Sequence, residues 1–272
     1  MASNTVRGRK SKSKRRIAVR QISNQDLRWA LKAGLDDFMA MRGDLLFAGL
    51  LYVLVGILAA VMATSGQLLP FLFPVVAGVG LLGPLAAVGF YELARRREAG
   101  LKSNWTHFLD VQKSPSADDI GIVAGMLLAI FAVWLLAAGA LWVILFGASP
   151  GSIQEFLTMV FMTPRGWVLI LLGSVAGAAF GWLVLSVSVA AMPMLVDRNV
   201  SAAEAVSTSW RAVQANRDEM LRWGMIVTGL LVLGSIPLFI GLAFVLPWLG
   251  YATWHLYTRL IDRDTLPGRS TR

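Results

Sequence analysis

Residues 120–154 read IGIVAGMLLAIFAVWLLAAGALWVILFGASPGSIQ, 35 positions without one Asp, Glu, Lys or Arg. A bilayer core about 30 Å thick is crossed by about 20 apolar residues of helix. In lipid every backbone N–H and C=O must be paired internally, so such a stretch is a membrane helix. Three further uncharged stretches surround it: Leu45–Tyr91 with 47 residues, Gly166–Val196 with 31 and Trp223–Thr258 with 36. The chain therefore reads as all-α, a polytopic transmembrane helical bundle.

Local signals place the crossings. The longest stretch divides at the small polar turn Thr64-Ser65-Gly66-Gln67, giving helices near 45–63 and 68–93. Ser116, Asp118 and Asp119 suit a helix N-terminus, where a hydroxyl caps free N–H groups and acids oppose the dipole; the helix they open runs near 120–146. Pro150 and Gly151 lie in the turn that ends it. Ile153, Phe156, Leu157, Val160 and Phe161 share a helical face expected at the outer surface. Thr163-Pro164 reads as an N-cap followed by an N1 proline, launching a helix near 164–193. Pro237, Gly241 and Pro247 argue against one straight final helix and divide it into spans near 223–240 and 242–258. The count is six, with five as the alternative.

Charge sets the orientation. Residues 1–44 hold 11 of the 25 Lys and Arg, connectors 92–119 and 197–222 hold 5 and 4, the tail 259–272 holds 4, and 155–165 holds 1. Short basic loops stay in the cytoplasm, so both termini are expected there. Three regions follow: a basic disordered tail 1–24, a membrane domain 25–262, and a disordered tail 263–272. The basic start, Arg7 to Arg16, is expected to meet anionic lipid rather than nucleic acid. Residues 25–42 form an amphipathic helix with Leu27, Ala30, Leu31, Gly34, Leu35 and Phe38 on one face, expected to lie on the membrane. A weak echo links Pro84–Arg95 with Pro247–Arg259, each with an aromatic residue seven positions after its proline.

Two sets of residues stand out. Gly173, Gly177 and Gly181 make two overlapping GxxxG steps, a flat face on which another helix can pack closely, within the bundle or in a homodimer. Glu92, Asp197, Arg198 and Asn216 all fall on the predicted cytoplasmic side and form a candidate rim site. Asp197 and Arg198 are expected chiefly to anchor a helix end. Ser201 and Glu204 have capping-box spacing before a second amphipathic helix carrying Ala205, Val206, Ser209, Trp210 and Val213.

Several chemistries find no residues to perform them. With no cysteine there are no thiolate nucleophiles or Cys-ligated metals, and His107 and His255 are the two histidines. No nucleophile–base motif is present, so no enzyme activity and no cofactor is expected. Asp, Glu, Lys and Arg, the usual mark of a transport path, are missing from the four apolar stretches. That leaves a membrane scaffold or assembly partner, with passage of an uncharged solute or lipid as the alternative.

Taken in order, Gly83-Pro84-Leu-Ala-Ala-Val-Gly89-Phe-Tyr91-Glu92, Pro193-Met-Leu-Val-Asp197-Arg198, Ala205-Val-Ser-Thr-Ser209, Ala212-Val-Gln-Ala-Asn216 and Gly250-Tyr-Ala-Thr-Trp254-His255-Leu-Tyr257 resemble domain of unknown function 2189. Trp29, Gly34 and Asp36 match its opening segment, and Arg217 stands where the family has proline. The resemblance, spanning about 25–260, implies a multi-pass protein of the bacterial inner membrane with no established activity. Some members carry the label cytochrome c oxidase subunit I. Such a subunit holds haems and copper through several intramembrane histidines, and His255 alone cannot supply them, so that function is not carried over.

Overall fold

A computed structural model describes residues 16–41, 66–71, 74–75, 81–147, 150–236 and 240–267. The expected span 45–63, part of 68–93, and most of the basic N-terminal tail lie outside the described residues. Ten helices appear among those described: α1 (Asn24–Ala40), α2 (Gly83–Ala86), α3 (Val88–Glu98), α4 (Ala117–Phe146), α5 (Ile153–Phe161), α6 (Pro164–Ser188), α7 (Ala191–Asp197), α8 (Ala202–Ala215), α9 (Arg217–Ser235) and α10 (Leu242–Leu260).

The hydroxyl caps expected at Thr163 and Ser201 form, whereas the Ser116 hydroxyl caps no N–H of α4 and donates to Arg198 O at 3.3 Å. Ser116 precedes α4, with Asp118 and Asp119 in its first turn. The Thr163 hydroxyl accepts from the Gly166 N–H at 3.0 Å, with Pro164 opening α6. Ser152 and Ser201 cap α5 and α8 by accepting from Glu155 and Glu204 N–H groups. Gly147, at φ +76°, ends α4 in a conformation that a side chain would oppose. Pro193 has no N–H and its ring crowds the carbonyl four residues earlier. Accordingly the 164–193 helix stops at Ser188 and resumes as α7 at Ala191. The N–H of Ala190 in that break donates to the Ser209 hydroxyl at 3.2 Å.

α4 and the α6–α7 segment have peak mean hydropathies of 2.6 and 2.3, yet only 22% and 6% of those apolar windows is buried. Leu136 and Ile144 on α4, and Trp167, Leu171 and Val175 on α6, are bare. Apolar surface on this scale needs an apolar solvent. Both helices, of 30 and 25 residues, reach about 45 and 37 Å at 1.5 Å per residue, enough for a bilayer.

Packing is concentrated at the two ends of these helices. At one end α5 lays Phe156 and Val160 against Trp142 and Leu69. At the other, a much larger body gathers α1, α3, α7, α8 and α10 around Phe90, Leu93, Met192, Leu195, Tyr251, Trp254 and Leu260. α1 belongs to this body. Its buried positions are Leu27, Ala30, Gly34 and Asp37, with Met41 just beyond, alternating by three and four as in a helix–helix seam. That seam meets α10, so the apolar face expected to lie on the membrane is covered by protein; Leu35, assigned to it, is exposed. α8 is likewise corrected: Ala202, Ala205, Thr208, Ser209, Ala212 and Val213 face the body, while Trp210 is 43% exposed.

Residues 16–24 and 263–267, expected in disordered tails, belong to the folded body. Ile17 is buried, Val19 forms an antiparallel bridge with Ile261, and Arg20 N–H donates to Leu260 O at 2.8 Å. Asp262 N–H returns a bond to Ala18 O at 3.0 Å. The two ends of the described chain therefore lie side by side. Residues 16–24 and 263–267 are ordered because each supplies the other's backbone partners and covers apolar side chains.

Among the described residues the closest helix approaches also fall elsewhere than on the GxxxG face. A Cβ at Gly173 or Gly181 would meet nothing within 4 Å among these residues, and one at Gly177 would make an ordinary 3.5 Å contact with Trp134. At Gly34 it would lie 2.4 Å from the backbone nitrogen of Ala252, and at Gly250 2.9 Å from the Cβ of Phe90. Small residues let α1 meet α10, and α10 meet α3; the second contact joins the two echoing segments. Gly34→Ala is expected to lower stability in detergent by about 1–3 kcal/mol through overpacking. Gly173→Ala is expected to stay within about 0.5 kcal/mol. Thermal melts of the two variants check this.

Candidate functional site

The end of α3 carries Glu92, Arg95, Arg96, Arg97 and Glu98, and each points its charge into a partner. Glu92, 6% exposed, is gripped by Arg95 through Nε at 2.7 Å and Nη2 at 2.5 Å. The third nitrogen, Arg95 Nη1, is buried without a hydrogen-bond partner among the described residues. Arg96 lies 3.7 Å from Glu92 and 3.6 Å from Asp110. Asp110, on the 3₁₀ segment Trp105–Lys113, also receives His107 Nδ1 at 2.7 Å and Lys113 at 3.1 Å. The His107 hydrogen bond first, and then that of Lys113, hold the Asp110 carboxyl below its ordinary value of 3.8. A carboxylate whose pKa is lowered by folding stabilises the fold fully above its ordinary pKa. That contribution disappears as pH falls through the lowered value.

A second cluster centres on Asp197 at the end of α7. Its Oδ2 accepts from the Tyr257 hydroxyl at 3.0 Å and from Arg263 Nε at 3.0 Å, and Arg198 Nε stands 3.6 Å away. Arg263 also pairs with Glu98 at 2.5 Å, and Glu98 accepts from the Trp254 ring nitrogen at 3.1 Å. Burial alone would make Arg263 less basic, but the Glu98 hydrogen bond and the charge of Asp197 together raise it above an ordinary arginine. A third cluster joins α1 to α10: Asp37 accepts from Arg97 Nε at 2.8 Å and lies 2.8 Å from His255 Nε2. The His255 ring meets Trp29 edge-on at 5.4 Å, with the Arg259 guanidinium 4.0 Å from the Trp29 ring centre.

Of the four rim residues, the structure unites Asp197 with Arg198 and leaves the others in different settings. Glu92 is taken by Arg95. Asn216 holds the N-terminal segment, its Oδ1 accepting from Ile22 N–H at 2.8 Å and its Nδ2 donating to Arg20 O and Ala212 O at 3.0 Å each. Asp197 is not an exposed anchor, being 5% exposed with two side-chain donors. Sequence reasoning missed Arg263, the partner of Asp197, which falls in the expected tail 263–272, and Asp37, the partner of Arg97 and His255. The three–four–three spacing of Leu27, Ala30, Gly34 and Asp37 was the signal available for the latter. No group of three or more potential ligands gathers for a metal among the described residues.

These clusters clamp helices together; they contain no nucleophile beside a base. What stands out chemically is the pairing of bare apolar spans with a body whose charges neutralise one another. Residues 72–197 match the DUF2189 family model, described as a predicted integral membrane protein. The DUF2189 match takes in the Gly83–Glu92 and Pro193–Arg198 motifs, together with α4 and α6. Neither the curated proteins nor the solved structures contain a match. With the exposed faces of α4 and α6, the DUF2189 match makes this an integral membrane protein.

Asp197→Asn, which weakens the acceptor for Arg263, is expected to cost about 1–3 kcal/mol. Arg198→Gln is expected to cost under about 1 kcal/mol; detergent melts compare them. Lowering the pH below about 4 should release the Trp105–Lys113 segment, read as faster hydrogen exchange there, and Asp110→Asn should remove that pH dependence.

Proposed function

We propose that the protein is a non-catalytic, multi-pass scaffold of the bacterial inner membrane that presents its α1–α3–α7–α8–α10 body on the cytoplasmic side. The observation that carries this reading is the use of charge. Asp37, Glu92 and Asp197 are buried and each is occupied by arginine from the same body. Groups spent in this way hold helices in register and leave no free charge to carry a solute.

The basic connectors support a cytoplasmic body. The antiparallel contact between residues 18–20 and 260–262 supports ends on one side and hence an even number of crossings. α9 and α10 meet closely at Gly234 and Gly241, consistent with a hairpin in place of one long final helix. Reporter fusions at Arg272 are expected to read cytoplasmic.

The competing reading, passage of an uncharged solute or lipid, rests on the lack of Asp, Glu, Lys and Arg in the four apolar stretches. Two measurements on one preparation separate them. A scaffold should retain a stoichiometric protein partner through purification in mild detergent, and its proteoliposomes should leak glycerol no faster than empty vesicles. Glycerol flux above that background, with no partner retained, would replace the scaffold with a transport function.

A further inference from the structure

Where α8 passes the first turns of α4, a groove of roughly 830 Å³ opens on the surface. Ile122 and Met126 of α4 and Val206 and Trp210 of α8 give it an apolar lining, and Arg16 and Arg211 add two positive charges. Arg211 is positioned, its Nη2 donating to Ile17 O at 3.1 Å and to the Thr208 hydroxyl at 3.0 Å. Arg16 is exposed. Glu204 also lines the groove, but among the described residues neither guanidinium has a carboxylate within ion-pair distance. Burial first, and then the like charge of Arg16, make Arg211 less basic than an ordinary arginine, with the charge of Glu204 opposing them in part. Two cations face this space against a single acid, Glu204, so a net positive charge remains that an anion would stabilise.

The anion must also have an apolar part. Ile122 and Met126 lie three and seven residues beyond Asp119, the last acid before the uncharged stretch. At 1.5 Å per residue they stand about 5 and 10 Å further along the helix, toward the bilayer. Ile122 is 58% exposed, with nothing in the body covering it. Free phosphate would meet the guanidiniums and leave this surface bare, whereas a phospholipid fills both parts.

We propose that this groove binds an anionic phospholipid, its phosphate between Arg16 and Arg211 and an acyl chain along Ile122 and Met126. The site differs from diffuse attraction of the basic residues 7–15 to a charged leaflet, and it stands whether or not the protein is a scaffold. The geometry couples lipid to structure, since Arg211 also holds the carbonyl of Ile17 and thereby the segment that bridges to Ile261.

The test uses the full chain, delipidated in detergent and titrated with phosphatidylglycerol or phosphatidylcholine, with bound lipid counted by native mass spectrometry. One phosphatidylglycerol per chain should bind preferentially. Arg16→Gln and Arg211→Gln should each weaken it about 5-fold, the value of roughly one basic contact. Ile122→Ser should weaken it too, while the triple change Arg7→Gln, Arg9→Gln and Lys10→Gln should leave it unchanged. Arg16 and Ile122 are exposed, so those two variants fold even if Arg211→Gln does not. Unaltered binding by Arg16→Gln would overturn the proposal. So would an equal loss in the triple variant, which indicates diffuse attraction, or displacement of the lipid by millimolar inorganic phosphate, which indicates an anion site without a lipid.

Discussion

The approach of Gly34 to the backbone of Ala252 is the contact on which the body depends. A methyl group at Gly34 would stand 2.4 Å from the Ala252 nitrogen, so the two helices touch backbone to backbone. That distance brings Asp37, one turn along α1, to His255 and Arg97, and lets the Trp248 ring nitrogen reach Leu31 O at 2.8 Å. It also delivers the chain before α1 to the far end of α10, where residues 18–20 pair with 260–262. Separate α1 from α10 by one methyl group and each of these partners moves out of reach together.

Two solvents divide the molecule. In the body, apolar side chains are covered by other apolar side chains, and the few ionised groups face one another across helices. Burying a charge carries a large desolvation penalty, and a partner with good geometry is what offsets it. Asp197 joins α7 to α10 and to the segment after it through Tyr257 and Arg263, so its value lies in register between elements. Along α4 and α6 the reverse holds: contacts such as Trp134 to Pro74 O and to the Phe180 ring are sparse, and lipid supplies the remaining surroundings.

Features governed by local chemistry were legible in the sequence. The N-caps at Thr163 and Ser201, the N1 proline at Pro164 and the acids of the first turn of α4 follow from groups within four residues of one another; the break at Val189–Ala190, inside the helix expected over 164–193, was not foreseen. Features set by distant partners were not legible. The amphipathic face of α1 was evident, but hydrophobic periodicity does not distinguish a lipid surface from the small-residue face of a helix 200 positions away. GxxxG spacing likewise reports that close approach is permitted, and among the described residues none approaches Gly173 or Gly181. The rim site was half legible for the same reason. Asp197 and Arg198 are neighbours in sequence, whereas the Asn216 partners, Arg20 and Ile22, lie almost 200 residues upstream.

The pairing of α1 with α10 bears on how the protein is made. Asp37 and His255 are separated by 218 residues, which a ribosome adding about 5–20 residues per second needs roughly 10–40 s to produce. Throughout that interval α1 has left the ribosome with Leu27, Ala30 and Gly34 uncovered, while the intervening apolar helices are being made. Closure of the body is therefore a late event that follows insertion. A chain truncated before residue 242 would be delivered to the membrane with its first helix still waiting for a mate, an exposed seam by which quality-control proteases could recognise unfinished molecules.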